Sequence, residues 1–182
     1  MDLTIYQKNP FIIMEPSVSS FYYNIINQLQ PKSILDVGMF LNRAGMISRS
    51  SSTRVLDDNI ALTGISFLEH PLPVYHTIYN QIFYYPTYFQ EEALTAPSYD
   101  LTVFLSLPDL ENRQTLLSLF ERTLPNTAYY FTDDTIFKND SDKKDRYFTE
   151  SVYVCESRTY YLIKNHRQSS VLSQEIGRRQ SE

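Results

Sequence analysis

Apolar positions along the chain follow two periods. Val18, Phe21, Tyr22, Ile25, Ile26 and Leu29 recur at the spacing of one helix face, behind a Ser17 suited to cap the first turn. Pro31 ends that helix, because proline disfavours helical geometry in the residue before it. Short apolar runs follow and predict strands over Ser33–Gly38, Ala61–Phe67, Asn80–Tyr85, Asp100–Ser106 and Thr127–Thr132. The run Leu101, Val103, Phe104, Leu105 is nearly continuous, as in a strand buried on both faces. Helical segments are expected between strands, over Asn42–Ser50, around Tyr88–Leu94, and from Asp109 or Asn112 to Leu124. Pro71 and Pro73 leave little room for a regular helix between the second and third strands. Two further β-rich runs, Arg146–Val154 and Thr159–Lys164, flank a polar turn and predict a hairpin.

Strands alternating with helices and closed by a hairpin predict an α/β fold. Its sheet is mostly parallel, of about seven strands, with an antiparallel C-terminal edge. The expected organisation is an N-terminal arm over 1–15, one domain over 16–165 and a polar tail over 166–182. No internal repeat is visible.

Composition narrows the classes of function. The net charge of −5 argues against a general nucleic-acid-binding surface. One cysteine, Cys155, rules out an intrachain disulfide and fits a reducing compartment. The apolar patch Phe11–Met14 is too short for a membrane span or a signal peptide, so a cytoplasmic location without a membrane partner is expected. Trp is absent while Tyr 15 and Phe 11 are high, so much of the core must be aromatic and many hydroxyls need partners.

The densest chemistry lies at 33–45, Ser-Ile-Leu-Asp-Val-Gly-Met-Phe-Leu-Asn-Arg-Ala-Gly. A short apolar strand ends in Asp36-Val37-Gly38 and turns toward a helix, as the first strand of an open α/β fold does. A turn that cradles a cofactor carries several glycines, yet Phe40 and Asn42 stand where small residues are expected. No Gly-x-Ser-x-Gly nucleophile turn and no phosphate-binding loop occurs.

Four weaker features have bland readings beside the functional ones. Asp133-Asp134 closes the fifth strand and is suited to a hard cation or a base, or is simply a solvated strand end; no His or third acid stands at a metal spacing, and no metal is expected. His70 and His76 flank the segment after strand two, facing a pocket or the surface. Cys155 sits in the hairpin turn with Arg158 as its only evident basic partner and reads as a structural thiol. The run Phe83–Phe89 is dense in Tyr and Phe. Half of it is core if the strand is interior, and the rest is a candidate surface for a protein partner or a homo-oligomer.

The order of elements over residues 16–165 resembles the class I S-adenosylmethionine-dependent methyltransferases. The resemblance rests on Ile34-Leu35-Asp36-Val37-Gly38, on Thr63-Gly64-Ile65 in strand two, on Tyr99–Val103 opening strand four, and on the terminal hairpin. It implies a three-layer Rossmann-like fold with S-adenosylmethionine over the carboxyl ends of strands one, two and four. Asp36, Gly38 and Gly45 then match the first motif, with Phe40 and Asn42 departing from it. Ser66 stands where an acid grips the ribose hydroxyls, with Glu69 a substitute if the turn folds back. Thr87 falls at the adenine-contacting position and Ser106 opens the loop after strand four. Two readings follow. One is a non-catalytic binding or assembly subunit whose pocket has closed around Phe40 and holds no cofactor. The other is an active, divergent methyltransferase.

Overall fold

The computed structural model describes residues 16–38, 60–66, 75–84, 98–105, 118, 120, 121, 123, 127–134, 147–155 and 158–165. In chain order the elements are helix α1 (Pro16–Leu29), strands β1 (Ser33–Val37) and β2 (Ala61–Ser66), and the short helix α2 (Tyr75–Ile78). Strands β3 (Gln81–Tyr84), β4 (Tyr99–Phe104), β5 (Thr127–Asp133), β6 (Tyr147–Cys155) and β7 (Arg158–Asn165) follow. They form one sheet of order β3-β2-β1-β4-β5-β7-β6. The pairs β1–β2, β1–β4, β2–β3 and β4–β5 are parallel, while β5–β7 and β6–β7 are antiparallel. The predicted mixed α/β sheet with its antiparallel hairpin is therefore the fold.

Helix α1 begins at Pro16, with Ser17 already inside the first turn rather than capping it. Proline suits that first position because its missing N–H has no helical partner there. At the other end the Gln30 N–H reaches the Ile26 carbonyl at 2.9 Å, and Gln30 takes a φ of 46° before Pro31 turns the chain into β1. Val18, Tyr22, Ile25 and Ile26 of α1 pack on Ile34, Leu62, Leu101, Val103, Phe131 and Leu162, one face of the sheet. On the opposite face Phe120, in the helical residues before β5, meets Phe104 and Tyr130 edge to face at 5.7 and 5.0 Å. Cover on both faces explains the nearly continuous apolar run of β4.

Asp100 fastens the amino ends of the central strands. Its carboxylate accepts the N–H groups of Lys32 and Ser33 at 2.8 and 3.0 Å, and the Ser33 hydroxyl accepts the Asp100 N–H at 3.0 Å.

One expectation is corrected. Among the described residues strand β3 ends the sheet at the side away from β6 and is not an interior strand, and Phe83 is half-buried and Tyr84 38% exposed. An edge strand has a neighbour on one side only, and less cover reaches its side chains. The rest of the aromatic run, 85–89, lies outside the described residues, as do the expected helices at 42–50 and 88–94. Among the described residues no helix is long and apolar enough to cross a membrane.

Candidate functional site

In an open parallel sheet, ligands bind beyond the carboxyl ends of the strands, where successive crossovers leave to opposite sides. Here that point lies between β1 and β4. Register places Val37 beside Ile65 on one side and Phe104 on the other, so the ends of β1, β2 and β4 stand level.

Gly38 follows directly. Its φ of 81° lies where a Cβ is penalised, and its N–H donates to the Ile65 carbonyl at 2.9 Å. That bond carries the β1–β2 ladder one residue past β1 and fixes the start of the turn. Asp36, two residues earlier, is fully buried. It shares its sheet face with Ile34, and the Tyr79 hydroxyl donates to its Oδ2 at 2.5 Å.

The chain after α2 aims Tyr79 at this carboxylate. Asn80 accepts the Leu62 N–H on its side-chain Oδ1 at 2.8 Å and donates its own N–H to the Leu62 carbonyl at 2.8 Å. Pinned to the start of β2 in this way, the neighbouring Tyr79 lies under the sheet, 5% exposed. Sequence reasoning misses Tyr79. Its signal is faint, a tyrosine two residues before β3 among many other tyrosines.

Ser66, at the end of β2 in the place of the expected acid, is also fully buried. Phe40, Asn42, Gly45, Glu69, Thr87 and Ser106 lie outside the described residues, as does His70; His76 is exposed on α2. Of the proposed cofactor residues the structure thus places Asp36, Gly38 and Ser66 together at one end of the sheet. Neither Asp36 nor Ser66 has surface open to a ligand.

A second group of polar residues gathers where β5 ends. Asp133 is fully buried and pairs in register with Tyr160 of β7, while the Asp134 N–H donates to the Thr159 carbonyl at 2.9 Å. Burial pushes the Tyr160 hydroxyl above its ordinary value of 10.0. The Arg158 guanidinium, which hydrogen-bonds it, pulls the other way, and the nearby Asp133 and Cys155 push it higher. Cys155 pairs in register with Arg158, and its Sγ lies 3.2 Å from the Ser17 hydroxyl at the start of α1. Tyr160 escapes sequence reasoning, because only the β5–β7 register brings it to Asp133; Arg158, which the sequence offers as a partner for Cys155, also hydrogen-bonds Tyr160. Among the described residues no group of three His, Cys, Asp or Glu side chains is placed to hold a metal, so the cation reading of Asp133-Asp134 gains no third ligand there.

The raised Tyr160 value carries a sign. The fold favours the neutral phenol, so this contribution to stability is complete below about pH 10 and is lost as pH rises through the raised value. Wild type is expected to lose urea resistance more steeply than Tyr160→Phe above about pH 10. Parallel midpoint-against-pH curves for the two proteins would refute the assignment.

No protein-family model matches the chain, and no curated protein sequence matches it. Solved structures do match. A candidate caffeoyl-CoA O-methyltransferase from Staphylococcus aureus aligns with a TM-score of 0.58 at 16% identity, over 91% of this chain and 93% of that one. A candidate O-methyltransferase from Klebsiella pneumoniae aligns with a TM-score of 0.54 at 14% identity, over 83% and 80%. The candidate methyltransferase YhhF from Escherichia coli gives 0.53 at 11% identity, over 84% and 88%. At these identities the likeness speaks for architecture, and by strand order, terminal hairpin and superposition this chain has the class I methyltransferase fold.

Proposed function

We propose that the chain is a methyltransferase-fold protein with a degenerate S-adenosylmethionine site, acting as a non-catalytic binding or assembly subunit. The observation that carries this reading is the state of Asp36. It is the acid retained from the first motif, and its carboxylate is fully buried and engaged by the Tyr79 hydroxyl at 2.5 Å. A carboxylate enclosed in the helix–sheet layer has no face left for a ligand. Ser66 supports the same reading. It is buried, and a hydroxyl cannot form the charge-assisted bidentate pair that an acid makes with two ribose hydroxyls. The described residues therefore fit S-adenosylmethionine poorly, and in the sequence Phe40 adds a benzyl group where the cofactor would approach the main chain.

The alternative, an active but divergent methyltransferase, has one observation in its favour. Gly38 keeps the positive φ and the Ile65 bond with which a cofactor turn begins. In that case the protein's contribution is to hold the methyl donor in line with its acceptor.

Isothermal titration with S-adenosylmethionine and with its demethylated product separates the two. The expected result is no measurable binding to wild type, with binding gained in Phe40→Gly if that ring closes the pocket. Micromolar binding by the wild type overturns the non-catalytic reading.

A further inference from the structure

No further inference is drawn: the strongest candidate, the side-chain cluster of Ser17, Cys155, Arg158, Tyr160 and Asp133 where α1 starts against the β6–β7 hairpin, rests on a lone cysteine beside a helix start, and nothing among the described residues there points to a ligand.

Discussion

Truncating Phe131 to alanine is expected to destabilise the protein by about 3–5 kcal/mol, the largest effect of any single change considered. Phe131 is fully buried near the centre of β5 and touches three other rings. Tyr22 of α1 stacks on it at 5.1 Å, Tyr160 of β7 stacks at 6.0 Å, and Phe21 meets it edge to face at 6.0 Å. The truncation therefore removes the transfer energy of one phenyl group, leaves a cavity, and deletes aromatic contacts worth about 0.5–1.5 kcal/mol each. Because these rings come from a helix and two strands, their loss loosens α1 from the sheet rather than one strand from its neighbour. The urea midpoint should fall with little change in slope, and the melting temperature should drop by about 10 °C. Phe131→Leu, which refills most of the space, should cost far less. Near-equal midpoints for alanine and leucine would show that the site collapses around the gap and that the ring cluster does not fasten α1.

Tyr79→Phe is expected to cost about 1–3 kcal/mol, the range for depriving a buried polar group of a hydrogen-bond partner. The substitution changes shape very little. Its cost comes from depriving the fully buried Asp36 of a donor at 2.5 Å. A double-mutant cycle with Asp36→Asn isolates that term. The coupling energy should be of the order of 1 kcal/mol or more, with the double variant more stable than the summed single losses predict. If Asp36 instead faces the cofactor cleft, Tyr79→Phe should be nearly silent, the coupling should vanish, and S-adenosylmethionine should raise the melting temperature of wild type. One set of melts thus bears both on the fold and on the reading of the retained acid.

The elements of this fold are largely legible in the amino-acid sequence. The 3.6-residue period of Val18 to Leu29 marks α1, and the runs ending near Val37, Ser66, Phe104 and Asp133 mark the parallel strands to within about two residues. Both signals are local, since a side chain's face depends on the residues beside it in sequence. The candidate site is less legible. Asp36, Gly38 and Ser66 stand out as a group, and the structure does place them at one end of the sheet. What Asp36 does there is not readable from the chain, because its partner Tyr79 lies 43 residues away and belongs to no motif. Tyr160 stays hidden for the same reason. It meets Asp133 only through the antiparallel register of β7.

By itself the sequence determined the class of fold, the positions of its strands, and the glycine that the first turn requires. Those follow from periodicity and from the steric limits of a single residue. The tertiary structure alone decided that β3 and β6 are the end strands among the described residues and that Asp36 points into the helix–sheet layer toward Tyr79. Strand order and buried hydrogen bonds depend on which distant segments pack together, and that choice is made by the whole core at once.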